Sequence, residues 1–253
     1  MNTYLDRVHY RRAIRRWRRM ANAAGKSDLP ELRAQRGEAR ELRHHLDRLI
    51  HIADGRLALP SIGTNSFPRP HGTDWSWRPE VWRGPLARPG LAAVETKSMF
   101  GDELTVFHDC GQSELTLRQL RNRREEDLAP FGLRMDVFRF DGSFLSLVVD
   151  LPDGAVKGLT RDHLVRLSTI VELEKPLEIF ARLNVQHGPN TEQIVRELPL
   201  DEKEIVVEFD LAYSKLNVKR VERAWVDLIF EGPEMNQVVL RDLTFARLPR
   251  AAL

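Results

Sequence analysis

From about residue 91 onward, apolar residues recur at every second position. Leu133, Met135 and Val137 alternate with polar neighbours, and Leu145, Leu147, Val149 and Leu151 repeat the pattern. So do Val165, Leu167, Thr169, Val171 and Leu173, and then Leu177, Ile179, Ala181, Leu183 and Val185. Successive side chains of an extended strand point to opposite faces, so a period of two marks strands with one apolar face. Adding 91–96, 104–108, 194–198, 205–211, 224–230 and 238–245 gives about ten strands. No long helical pattern separates them. Parallel pairing needs crossover helices, so the pattern predicts antiparallel sheets. One apolar face per strand predicts two sheets packed face to face. The expected fold is mainly β: an antiparallel β-sandwich of jelly-roll type over 91–253, with an up-and-down barrel as second choice. Asp141 and Gly142 read as a hairpin turn between two of the strands.

The first 55 residues follow the helical period instead. Tyr10, Ala13, Ile14, Trp17, Ala21 and Ala24 recur at three- and four-residue steps and make one apolar stripe on a helix over 3–24. Gly25 is the expected stop. Asp28 then offers its carboxylate to the free N–H groups of a second helix, Pro30 fits the first turn, and Glu31 stands at capping-box spacing. Leu32, Gln35, Ala39, Leu42, Leu46, Leu49 and Ala53 continue the pattern, with Gly55 as the expected cap. The reading is a basic helical hairpin over 1–55, or arms that pair between chains into a homo-oligomer.

Residues 56–90 belong to neither pattern. Pro60, Pro68, Pro70, Pro79, Pro85 and Pro89 exclude a long helix and most central strands. The same stretch holds Trp75, Trp77 and Trp82, and indoles seek burial or a ligand. An ordered loop wrapped on the sandwich satisfies both constraints.

Charge changes this picture at one end. The 39 Lys and Arg against 37 Asp and Glu leave a net charge of +2. Residues 1–26 alone carry +7, because Asp6 is their single acid. Arginine pairs bidentately with phosphate, so Arg11, Arg15 and Arg18 are candidates for an anionic partner, either a membrane surface or nucleic acid. The plainer reading is a solvated face on a helix docked to its own protein. The single cysteine, Cys110, excludes an intramolecular disulfide, and no apolar leader precedes the basic helix. Both features point to the cytoplasm, with the arm as a peripheral membrane attachment.

Candidate chemistry clusters in two places. Asp74, Trp75 and Trp77 combine indole faces with a carboxylate, which is what a sugar site uses. Arg182, Asn184 and Gln186 share one side of a strand, Glu208 and Asp210 one side of another, and Trp225 and Asp227 one side of a third. An outward indole at Trp225 needs a cover: a ligand, the proline-rich loop or the N-terminal helices. The expectation is that Trp75 or Trp77 lies over the face carrying Asn184, Trp225 and Asp227, and that the cleft between them binds glycan. The plainer readings are core pegs and an ordinary solvent face. His108, Asp109, Cys110 and Glu114 hold the residue types of a nucleophilic site, but neighbours on an extended segment diverge, and a structural thiol is preferred. Glu95, Glu103, Glu114, Glu208, Asp210 and Asp227 offer pairs for glycoside hydrolysis, where separation decides the chemistry. There is no phosphate-binding glycine loop, no G-x-S-x-G elbow and no spaced Cys or His pair for zinc, so no cofactor or metal is expected.

The run Gly72-Thr73-Asp74-Trp75 through Trp77-Arg78-Pro79 and Trp82-Arg83 resembles a family of uncharacterised proteins from marine and photosynthetic alphaproteobacteria, of Rhodobacter and Roseobacter type. Phe107-His108-Asp109-Cys110, the run from Leu183 to Asn190, and the closing run from Arg241 to Arg247 are similar to it as well. The resemblance covers most of residues 60–253 and implies no activity. The strand pattern is also loosely similar to galactose-binding-like sandwiches, a likeness of architecture alone. The functional expectation is a non-enzymatic binding protein whose sandwich holds a glycan or other polar ligand and whose arm meets an anionic surface or partner. The alternatives are an enzyme acting on polysaccharide or sugar precursors through paired carboxylates, and a structural assembly subunit.

Overall fold

A computed structural model describes residues 4–57 and 67–250 of the chain. The chain divides into two compact units, Met1–Ile50 and His51–Leu253.

The first unit is built from α1 (Tyr4–Ala23) and all but the last turns of α2 (Leu29–Leu57), joined by a short 3-10 turn. Asp28 caps α2 as expected, its Oδ1 accepting from the Glu31 backbone N–H at 2.8 Å. Glu31 does not complete the box. Its carboxylate accepts from Gln35 at 2.9 Å instead, which leaves the cap one-sided. Gly55 lies inside α2, because glycine costs a helix about 1 kcal/mol without ending it. Arg16 reaches Glu38 at 3.4 Å, and the two stand equally far from Ser27, so the helices form an antiparallel hairpin. None of residues 9–50 is buried.

The second unit is a two-sheet antiparallel sandwich. Its strands are β1 (Trp75–Trp77), β2 (Gly90–Ala92), β3 (Ser98–Phe100), β4 (Leu104–His108), β5 (Leu115–Arg121), β6 (Phe131–Val137) and β7 (Leu145–Asp150). They continue as β8 (His163–Leu173), β9 (Glu178–His187), β10 (Asn190–Glu197), β11 (Ile205–Asp210), β12 (Val221–Glu231) and β13 (Asn236–Pro249). Two one-turn helices, α3 (Glu80–Arg83) and α4 (Asp153–Val156), interrupt them. The larger sheet runs β11-β8-β13-β6-β5-β2 with β1 added beside β13, and the smaller runs β10-β9-β12-β7-β4-β3. The chain changes sheet repeatedly, as a jelly roll does. Leu145, Leu147, Val149, Ala181, Leu183, Val226 and Leu228 from the smaller sheet meet Leu117, Leu133, Leu167, Phe209, Leu243 and Phe245 from the larger in one core.

Two sequence expectations change here. Asp141 and Gly142 do not form a hairpin, because β6 and β7 belong to different sheets. The Asp141 carboxylate instead accepts from the Gly111 N–H and the Cys110 thiol, while Asp109 accepts from Ser143 and Phe144, so the segment ties the two sheets together. A Cβ on Gly142 would sit 2.6 Å from Asp109 Oδ1, which is why only glycine fits. The proline-rich segment also does more than wrap the sandwich, since β1 is a strand of the larger sheet and Trp82 is a core residue. The Trp82 indole N–H donates to the Leu240 carbonyl at 3.0 Å. Gln119 fixes the same segment from β5, bonding the carbonyls of Val81 and Gly84 and the N–H of Leu86.

Two arginine–aspartate pairs fasten residues 74–78 to β13. Arg78 donates bidentately to Asp242 at 2.9 and 2.7 Å, and its side chain is 1% exposed. Arg247 donates bidentately to Asp74 at 2.9 and 3.1 Å. Its remaining amino group bonds the carbonyls of Ala155 and Lys157 around α4.

The two aspartates are shifted in opposite directions. Burial raises the Asp242 carboxyl and outweighs the lowering effect of Arg78. Burial also acts on Asp74, but the hydrogen bond and charge of Arg247, with His163, overcome it and hold Asp74 below its ordinary value of about 3.9. A depressed carboxyl stabilises the fold above its unfolded pKa, and that stability is lost as pH falls through the folded value. The stability gap between the wild type and Asp74→Asn should therefore be widest at neutral pH and shrink as the pH falls through the depressed value of the folded carboxyl. Urea titrations across that range check it, and a gap that is independent of pH contradicts it. Removing one partner of a buried pair leaves the other charge stranded. Arg78→Met should lower the unfolding free energy by about 3–5 kcal/mol, and adding Asp242→Leu should recover part of the loss. A single-variant loss below about 1 kcal/mol in the same titrations contradicts the account.

Candidate functional site

Along β12, Ala224, Val226, Leu228 and Phe230 point into the core, so Trp225, Asp227 and Ile229 point outward. Along β9 the inward residues are Ile179, Ala181, Leu183 and Val185, which turns Phe180, Arg182, Asn184 and Gln186 outward. Register then assembles the face. Asn184 lies opposite Trp225 on one side and Gln193 of β10 on the other, while Arg182 lies opposite Asp227. The five residues singled out on these two strands therefore share one surface, the outer face of the smaller sheet.

The polar side chains of that surface hold one another. Asp227 Oδ2 accepts from Arg182 Nε at 2.7 Å and from Asn184 Nδ2 at 3.0 Å, and the Arg182 Nη2 lies 2.6 Å away. Gln193 donates to Asn184 Oδ1 at 2.9 Å. Asn184 and Asp227 are 1% and 3% exposed although they face outward, because their neighbours close over them. A network satisfied in this way has little freedom left to lose on binding. Trp225 stands half-buried beside it. Its cover is the Arg223 guanidinium, 4.6 Å above the ring and anchored by a 3.0 Å bond to Gln186.

The proline-rich loop does not supply that cover, contrary to the sequence expectation. Trp75 and Trp77 pair in register with Arg247 and Phe245 of the larger sheet, so they face the same side as the core residue Phe245. Trp77 stacks on Phe245 with ring centroids 5.8 Å apart, and Trp75 follows Trp77 at 6.5 Å. Gly154 of α4 lies so close that a Cβ there would sit 2.9 Å from the Trp75 indole nitrogen. Asp74 is engaged by Arg247. These three residues belong to the packing of the larger sheet and do not form one cleft with Trp225 and Asp227.

The other candidates are dispersed. Glu208 pairs with Arg166, and Asp210 caps a turn at Ala212. Glu103 accepts from the Glu80 N–H and pairs with Arg83, and burial raises its carboxyl above the ordinary range. Glu114 accepts from the Arg139 N–H. Glu208 faces outward from the larger sheet and Asp227 from the smaller, on opposite sides of the sandwich. Cys110 Sγ lies 2.7 Å from Asp141, and the His108 ring bonds the Cys110 backbone and the Val94 carbonyl, so the imidazole does not meet the thiol. Arg11, Arg15 and Arg18 are exposed along α1. Among the described residues, no group of three or more His, Cys, Asp or Glu side chains could hold a metal ion.

Sequence reasoning missed Gln193 and Arg223. Arg223 stands two positions before Trp225 and shares its face, so alternation could have found it. Gln193 depends on the β9–β10 register, which alternation alone does not give.

The whole chain, residues 1–253, matches the model of a family of unknown function, DUF6478, and the protein belongs to that family. No curated protein sequence matches it. Among solved structures it is similar to a family 11 carbohydrate-binding module from Clostridium thermocellum in complex with a β-1,3-1,4-mixed-linked tetrasaccharide. That match has 11% identity and a TM-score of 0.40, over 62% of this chain and 94% of that one. It is also similar to the CBM22-1 xylan-binding domain of Paenibacillus barcinonensis Xyn10C, with 10% identity and a TM-score of 0.38, over 64% and 94%. The enzymatically active domain of tailspike protein 4 from bacteriophage CBA120 matches at 7% identity and a TM-score of 0.41. This match covers 56% of the present chain but 19% of the tailspike.

Proposed function

We propose that the sandwich is a non-catalytic carbohydrate-binding domain and that the sugar lies on the outer face of the smaller sheet, against Trp225. One observation carries the reading: a half-buried outward indole stands in mid-sheet next to a polar array whose internal bonds are already made. The C–H face of a pyranose is apolar enough to lie on an indole once the exposed Arg223 side chain swings off the Trp225 ring, and its hydroxyls need donors and acceptors around that contact. Arg182 keeps guanidinium N–H groups beyond those turned to Asp227. Asp227, closed over by its neighbours, orients Arg182 and Asn184 for that contact. The array is held before the ligand arrives, so binding costs little ordering.

Trp225 is the residue to remove, because it contributes to the face without being a core residue. A glycan array probed with the full chain should identify a ligand, and calorimetry with that ligand should show at least a tenfold loss for Trp225→Ala, equivalent to about 1.4 kcal/mol. Gln193→Ala should weaken binding less, since Gln193 only steadies Asn184. Neither substitution should shift the thermal midpoint by more than an exposed-residue change does. An array without a hit, or Trp225→Ala binding like the wild type, overturns the proposal.

A further inference from the structure

We propose that the helical hairpin is a reversible anchor for anionic phospholipid surfaces, with the apolar stripe of α1 in the headgroup boundary and its arginines among the phosphates.

Charged and apolar side chains are divided unevenly around α1. The helix carries seven arginines and one acid, Asp6. At about 100° per residue, Arg11, Arg12, Arg15, Arg16, Arg18 and Arg19 fall on one half of the circumference. Tyr10, Ala13, Ile14, Trp17, Met20 and Ala21 fall on the other. All six arginines are exposed, Arg16 while sharing a 3.4 Å contact with Glu38. The apolar half is only partly covered. Near the turn, Trp17 and Met20 of α1 and Leu32 of α2 are half-buried. Further along, Tyr10 is 67% and Ile14 43% exposed, and Leu46 and Leu49 of α2 are exposed as well. The hairpin is covered at its turn and bare away from it.

Three occupants compete for that surface, and each makes a different demand on it. Nucleic acid would use the arginines and leave Tyr10, Ile14 and the leucines in water. A second copy of the hairpin would cover the apolar stripe but bring two arginine-rich helices of like charge together. An anionic bilayer takes both halves at once. A helix with one basic face and Trp, Ile and Tyr on the other lies in the membrane interface, held by its apolar area and by the charge of the lipids. Among the described residues no helix is long and apolar enough to cross a membrane, which fits a helix lying on the surface. This inference concerns the hairpin and stands whether or not the sandwich binds sugar.

Flotation of the full chain with vesicles tests it. The protein should float with vesicles of equal parts phosphatidylcholine and phosphatidylglycerol, and not with phosphatidylcholine alone. Salt should release it, because the screening length falls to about 3 Å at 1 M. Each basic residue at an anionic surface multiplies partitioning about fivefold, so R11Q/R15Q/R18Q should lower it about a hundredfold. The variant I14S/W17S keeps every charge and should also lose vesicle binding, which a purely electrostatic contact would not. No binding to the mixed vesicles, or equal binding to both kinds, overturns the proposal. So does unchanged binding by I14S/W17S. Binding to duplex DNA or self-association without vesicle binding assigns the hairpin to another partner and overturns it too.

Discussion

Residues 74–78 are held against β13 by two ion pairs in which each segment supplies one arginine and one aspartate. Arg78 grips Asp242, and Arg247 grips Asp74. Bidentate geometry fixes both the spacing and the register of β1 on β13, because a guanidinium fork fits a carboxylate in one plane. Much else follows from that register. It turns Trp75 and Trp77 toward Phe245, and it delivers the chain into α3 with Trp82 in the core. The spare N–H groups of Arg247 hold α4, which links a strand of the smaller sheet to one of the larger. A proline-rich segment makes few backbone bonds of its own, so charged clamps do what a longer ladder would otherwise do.

The five tryptophans show how register decides the fate of one residue type. Trp82 is fully buried and spends its N–H on a core carbonyl, while Trp77 stacks on Phe245 of the larger sheet and Trp75 on Trp77. Trp225 points the other way because it alternates with Ala224 and Val226, and it meets solvent beside Arg182, Asn184 and Asp227. Trp17 lies among the apolar residues of α1. The outer face of the smaller sheet carries a polar array with its bonds made, and α1 carries an arginine-rich half.

Strands with uninterrupted alternation were legible in the sequence, and so was the clustering of Arg182, Asn184, Trp225 and Asp227 on one kind of face. The helical pair was legible too, from its stripes and the Asp28 cap. Alternation failed where a buried polar residue does structural work. Gln119 breaks the apolar period of β5 because it bonds the α3 segment, and that strand was not anticipated. β1 and β3 were missed because three residues carry no usable period. The placement of the loop tryptophans over Trp225 was wrong for a different reason. It assumed that an exposed indole takes its cover from another aromatic, whereas Arg223, two residues away on the same strand, stacks on the ring. The Arg78–Asp242 and Asp74–Arg247 partnerships join residues far apart in the chain, and a single sequence holds no signal for such pairs.

The central claim is that Trp225 and the array beside it receive a ligand while Trp75, Trp77 and Trp82 serve the structure. The indole N–H resonances of the 15N-labelled full chain report on this directly, once each is assigned by single substitution. On titration with a glycan taken from the array, the account predicts a saturable shift of the Trp225 signal, with those of Trp75, Trp77 and Trp82 in place. Movement of the Trp75 and Trp77 signals while that of Trp225 stays fixed would contradict it.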